Sequence, residues 1–202
     1  MAELGQRSFQ ERFQHLLAVI SSERFLKMQS LNNEIPFYIC PYKAQDAVEM
    51  ERLQQQLRNK LDQSGIRVLN INLYDLSIDH LKSEGDWDWY LSNEPSMAKA
   101  KLLEELQSML DVESVVIPAI AAKMAKNEFD VMFIGGVGEV FPFIRSHNVL
   151  NNLQKTAKHK PTIMFFPGEY THSIEGGAAL ELFGRLRDDK YYRAFNIFET
   201  AI

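Results

Sequence analysis

The sequence predicts an α/β fold: a mostly parallel sheet of about five strands, covered by helices on both faces. Three observations carry that expectation. Segments such as "IPFYICPY", "FDVMFIGG" and "PTIMFFPG" are short and almost wholly apolar, as strands covered on both sides must be. They alternate with stretches whose apolar residues recur every three to four positions, the mark of helices laid on a sheet. No repeat, low-complexity tract or linker breaks the 202 residues, so a single domain over 1–202 is expected.

Taken in order, "SFQERFQHLLAVISSERF" sets Phe9, Phe13, Leu16, Leu17 and Ile20 on one helical face, with Ser8 as N-cap. A buried strand follows at about residues 35–40. "AQDAVEMERLQQQLRNKLDQSG" spaces Ala47, Met50, Leu57 and Leu61 as a helix that stops at Gly65. "IRVLNINLYDL" reads as the second strand. The segment 76–96 mixes Trp87, Trp89 and Tyr90 with acids and suits either a core edge or a partner contact. "SMAKAKLLEELQSML" is a helix starting near Ser96, with Leu102, Leu103, Leu106 and Leu110 inward, and a shorter one over 112–126 is interrupted or restarted at Pro118. The third and fourth strands each end in glycine. Between them "SHNVLNNLQKTAKH" forms a helix capped by Ser146, with Val149, Leu150 and Leu153 inward, and "RAFNIFE" is the candidate fifth strand.

Composition narrows the function classes. A net charge of −5 offers no global field for nucleic acid and argues against direct nucleic-acid binding. The one cysteine, Cys40, excludes an internal disulfide and any zinc site built on paired cysteines, and reads as a buried, inert thiol. The first residues show no secretory signal and no apolar run approaches a bilayer span, so a cytoplasmic protein without membrane contact is expected.

In an open parallel sheet, ligands bind outside the carboxyl ends of the strands. Three loops gather there: "CPYKAQDA", "GGVGEVFPFIRSH" and "PGEYTHS". They offer Lys43, Asp46, Glu139, Arg145, His147, Glu169, Tyr170 and His172. Cofactor fingerprints fail. The first strand is followed by "CPYKAQD", without the glycines and lysine of a phosphate loop. Gly136 and Gly138 form a G-x-G, but Phe141 stands where a dinucleotide fingerprint needs its third glycine. The layout is therefore Rossmann-like or P-loop-like without a P-loop, and Gly135, Gly136 and Gly138 read as turn formers. No G-x-S-x-G elbow occurs, and His15, His80, His147, His159 and His172 lack metal-binding spacing, so no catalytic residue, metal or cofactor is assigned. Near the end, "GRLRDDKYYRAFNIF" interleaves Arg185, Arg187, Lys190 and Arg193 with Asp188, Asp189, Tyr191 and Tyr192. Arg and Tyr are the residue types that anchor protein interfaces, though a salt-bridged turn uses the same residues.

"LNNEIPFYICPY", "GVGEVFPFIRSHNVLNNLQ", "PTIMFFPGEYTH" and "LFGRLRDDKYYRAFNIF" together resemble the BrxB family, the small α/β component of type 1 BREX bacteriophage-exclusion systems. The resemblance spans essentially the whole chain. It implies a role in phage defence beside a large ATPase, an adenine methyltransferase and a PglZ-type alkaline-phosphatase-like protein, the last being the expected direct contact. It brings no established catalytic residues. Two readings compete. In one, the chain is a non-catalytic binding and assembly subunit that uses Gly136, Gly138, Glu139, Phe141, Arg145, His147, Glu169, Tyr170, Arg185, Arg187, Tyr191 and Arg193. In the other, it is a nucleotide-sensing regulator or hydrolase working through the loops after strands three and four.

Overall fold

The computed structural model describes residues 8–29, 36–173, 177–188 and 194–200. Five parallel strands form the sheet in the order β2-β3-β4-β1-β7: β1 (Phe37–Tyr42), β2 (Val68–Asn72), β3 (Val131–Gly135), β4 (Thr162–Ser173) and β7 (Phe195–Asn196). Side chains along each strand alternate between faces, and both faces are apolar. Phe37, Ile39, Met132, Ile134, Met164 and Phe166 enter one core cluster, whereas Tyr38, Cys40, Val131, Phe133, Ile163 and Phe165 enter the other. This two-sided burial is what the near-continuous apolar runs in the sequence signalled.

The second cluster is closed by α1 (Phe9–Ser21) and α3 (Ala47–Gln63), through Leu16, Val19, Ile20, Met50, Leu53, Leu57 and Leu61. Ser8 caps α1 as expected. Its Oγ accepts from the Glu11 amide while the Glu11 carboxylate accepts from the Ser8 amide, a reciprocal capping box. A short α2 (Glu23–Leu26) follows α1. On the first cluster lie α4 (Leu73–Glu84), α5 (Trp87–Asn93), α6 (Lys99–Met109), α7 (Ile117–Lys126) and α8 (Ser146–Thr156).

Several elements differ from the sequence expectation, each for a local reason. "LYDL" is the first turn of α4 rather than the end of a strand, because Asn72 Oδ1 accepts from the amides of Tyr74 (2.8 Å) and Asp75 (3.3 Å). The 76–96 segment is mostly helical, and its Trp87 and Tyr90 cover the core edge while Trp89 stays exposed. Ser96 closes a 3₁₀ turn before α6, whose N-cap position is Ala98. Leu102 and Leu106 are half-buried, and full burial begins only at Leu110. Ser146 is the first residue of α8 and not its cap; Arg145 holds that position without a side-chain bond. Pro118 sits in the first turn of α7, where its missing N–H costs nothing, and a π-turn over Val112–Val116 precedes it.

The largest departure is at β4. "PGEYTHS" is no loop: β4 runs on to Ser173 and pairs antiparallel with β5 (Gly177–Leu182), which pairs with β6 (Leu186–Asp188). The last parallel strand is reduced to Phe195–Asn196, and a 3₁₀ turn over Ile197–Glu199 succeeds it, capped by Asn196 accepting from the Phe198 amide.

Candidate functional site

The connection after β1 leaves over the face holding α3, and the connection after β3 leaves over the face holding α8. Ligand crevices form where connections diverge in this way. Here β4 stands between those two strands, and its parallel pairing with β1 ends at Tyr42↔Pro167. Its continuation, the β4–β5–β6 ribbon, therefore rises at the divergence point itself.

The loop 136–145 is shaped to receive that ribbon. Gly136 has φ +73°, and a Cβ there would lie 2.3 Å from Asn72 Oδ1, the atom that caps α4. One glycine thus lets the β3 loop pass over the α4 cap. Val137, Val140 and Ile144 turn into the core. Gly138 lies beneath the ribbon, where a Cβ would stand 3.0 Å from Pro167 Cγ and 3.1 Å from Phe183 Cε1. Gly168 is tighter still, since a Cβ there would approach the Glu181 carbonyl oxygen to 2.1 Å. Phe183, at the β5–β6 turn, has φ +58° and donates its amide to the Pro167 carbonyl at 2.8 Å. Its ring meets Phe141 edge-on, with centroids 6.0 Å apart, and the Arg145 guanidinium carbon lies 6.0 Å from the Phe141 centroid. Arg185 and Leu186 flank the turn, both exposed.

The other side of the same loop is acidic. Burial first, then the charges of Glu51 and Asp75, push the Glu139 carboxyl above its ordinary range. Tyr42, at the end of β1, is raised by burial and then by Cys40, Glu139 and Glu51. These groups face one another above the ends of β1, β2 and β3. A bare anion is unwelcome among them. No group of three or more His, Cys, Asp or Glu among the described residues is arranged to hold a metal ion.

The candidate residues thus divide. Gly138, Phe141 and Arg145 meet at the Phe183 turn, in which Arg185 is exposed; Gly136 packs over the Asn72 cap, and Glu139 lies on the acidic side of the same loop. His147 is buried in α8 and has an interaction partner, so it is no exposed base. Tyr170 is also buried. Its hydroxyl donates to the Ala194 carbonyl at 2.7 Å, tying the ribbon to the approach to β7, and burial raises its pKa to about 12. Glu169, Glu181 and Arg187 form a cross-strand row on the ribbon face opposite Leu182 and Leu186. Tyr191 and Arg193 lie outside the described residues, as do Asp189 and Lys190, and no side-chain position is described for His172.

Comparison with known proteins decides the family. The model of the family described as BREX protein BrxB matches residues 69–197, which include the loop and the ribbon. This chain belongs to the BrxB family. A Bacillus cereus protein named BREX protein BrxB is 34% identical over 198 residues, covering 96% of this chain and 99% of that protein. One of the same name from Escherichia coli is 26% identical over 186 residues, covering 92% of this chain and 90% of that protein. No solved structure matches the chain significantly.

Sequence reasoning missed Phe183, Leu186, Glu51 and Asp75. The first two had a faint signal, Phe183–Gly184 between alternating residues, but the usual hairpin mark is Asn-Gly or Asp-Gly. Glu51 and Asp75 had none, being ordinary acids on amphipathic helices.

Proposed function

We propose that this BrxB-family protein acts as a binding and assembly subunit of a BREX bacteriophage-defence system, works in the cytoplasm as a single domain, performs no chemistry of its own, and contacts a PglZ-type alkaline-phosphatase-like protein. The observation that carries this reading is the ribbon rising at the divergence point: the chain's own β4–β5–β6 fills the place where an α/β enzyme keeps its substrate, and presents exposed side chains in return. A nucleophile–base pair needs both groups within hydrogen-bond reach of a reacting atom. His147 is buried in the core and Tyr170 is committed to Ala194, so neither supports such a pair.

The test is co-purification of the tagged protein with the PglZ-type protein of the same system at micromolar concentration. A joint peak in size-exclusion chromatography is expected. Separate elution from every BREX protein of that system overturns the reading.

A second reading retains one specific observation, the carboxyl of Glu139, which partial burial and then the charges of Glu51 and Asp75 raise above its ordinary range, the direction a general base requires. Thermal-shift and turnover measurements with nucleotides and phosphoesters test it. No shift, no turnover and full phage protection by Glu139→Ala remove it.

A further inference from the structure

From the surface formed by Phe141, Arg145, Phe183, Arg185 and Leu186 we infer the chemistry of the partner: it docks an acidic segment carrying one apolar anchor. The inference rests on the assembly reading above and adds what that partner must present. Three features of the surface lead to it.

The first is the cost of Phe183. At φ +58° the Phe183 backbone lies in the left-handed region, which a non-glycine side chain occupies only against steric strain, and Gly, Asn or Asp are the residues that fit such a turn. A phenylalanine kept there is 37% exposed, and Leu186 three residues on is 44% exposed. Its packing on Phe141 and over Gly138 holds the ring in a set orientation, so an incoming apolar side chain meets an ordered edge.

The second is charge. In a protein of net charge −5, Arg145 lies 6.0 Å from the Phe141 ring centroid and Arg185 is exposed in the turn two residues after Phe183, and neither forms an ion pair with a described residue. The neighbouring acids face elsewhere. Glu139 has Glu51 and Asp75 as its electrostatic neighbours, and Glu169 and Glu181 project from the ribbon face opposite Leu186. Arginine beside aromatic residues is the composition of an interface anchor, and its planar fork matches a carboxylate.

The third is the choice between acidic macromolecules. Duplex nucleic acid is gripped by many cations along a stripe, whereas this surface offers two beside an apolar centre. A protein segment with Asp or Glu beside a Leu, Phe or Trp fits; a phosphate backbone does not.

The experiment uses the full chain and measures its affinity for the PglZ-type protein, and for each other protein of the system, by biolayer interferometry at low and high salt. Phe183→Asn and the pair Arg145→Glu with Arg185→Glu are compared with the unaltered protein. Asparagine suits the left-handed turn, so the first variant keeps the fold, which circular dichroism and urea denaturation verify. Each variant is expected to weaken binding at least about tenfold, and raising salt to weaken the unaltered protein alone by a similar factor. Undiminished binding by both variants overturns the inference and leaves the assembly reading standing. Absence of binding to every partner overturns both. Displacement of the bound partner by duplex or single-stranded DNA shows a phosphate-binding surface and overturns the acidic-protein assignment. Loss of binding in the variants with a BREX protein other than the PglZ type upholds the inference and removes only that partner.

Discussion

Above β1, β2 and β3 the carboxyl edge of the sheet carries Glu51, Asp75 and Glu139, with Tyr42 among them; a few residues further along the same loop it carries Arg145 over Phe141 and Phe141 against Phe183, with Arg185 exposed in the turn beyond. Both regions stand on one glycine-rich turn. The first is polar, like-charged and set into the edge. The second is aromatic, basic and raised above it by the ribbon. Like charges held together are kept at an energetic cost and bind little that is negative, whereas ordered aromatics beside arginines that ion-pair with no described residue have the composition that the proposed protein partner requires. Glycines after a buried strand therefore mark a place where chain segments cross closely, and only the groups crossing there decide what can bind.

The comparison can be broken most forcefully at Gly168. A methyl group there meets the Glu181 carbonyl at 2.1 Å and the Phe166 ring at 2.8 Å, and a backbone oxygen in a ladder has nowhere to go. Gly168→Ala is expected to cost about 3 kcal/mol or more in urea denaturation and to abolish partner binding. A variant as stable as the unaltered protein sinks the view that the ribbon is pinned at this point.

Gly136→Ala comes next, at about 2–3 kcal/mol, because it combines φ +73° with a 2.3 Å approach to Asn72 Oδ1. Its effect should fall on α4 as well as the loop. Hydrogen exchange at Tyr74 and Asp75, whose amides Asn72 accepts, reads this directly. Unchanged exchange there disproves the coupling of loop to cap.

Tyr170→Phe is smaller. The variant loses the hydrogen bond to the Ala194 carbonyl and leaves that buried oxygen short of a partner, a cost of about 1–2 kcal/mol. Because the bond joins ribbon to β7 rather than shaping the exposed surface, stability should fall while partner affinity, measured well below the unfolding transition, stays the same. A drop in affinity at full folding would show that Tyr170 belongs to the docking surface after all.

How much of this was legible beforehand follows the physics of each signal. The five-stranded parallel sheet and its two covers were readable because burial on both faces demands continuous apolar runs such as 131–135 and 162–166. The α1 start was readable because Ser8 and Glu11 form a local capping box. The α4 start was not, since Asn72 caps from within a β-rich run and side-chain geometry overrode propensity. A Phe-Gly turn in place of Asn-Gly hides the ribbon in the sequence, where Glu169 and Tyr170 have the pattern of loop residues. The site suffered for the same reason. Phe141 and Arg145 stand out in the loop sequence, but Phe183, the ring that Phe141 packs on, lies some 40 positions away across a non-local pairing.

The smallest effect tests the acidic side. In the folded protein Glu139 binds a proton more readily than its ordinary value of 4.5 allows, through partial burial and then Glu51 and Asp75. A carboxyl whose folded pKa is raised takes up protons on folding, so its ionisation costs stability once pH passes the folded pKa, and that cost vanishes below the unfolded value. Glu139→Gln removes the charge and should raise stability at neutral pH, by less than about 1 kcal/mol because the carboxyl is largely solvated. The gain should shrink to nothing as pH falls below 4.5, where the unaltered carboxyl is protonated in both states. Denaturation of both proteins across that range checks the sign. A gain that persists at low pH means that packing rather than charge sets the region's character, and removes the electrostatic half of the contrast between the two sides of the loop.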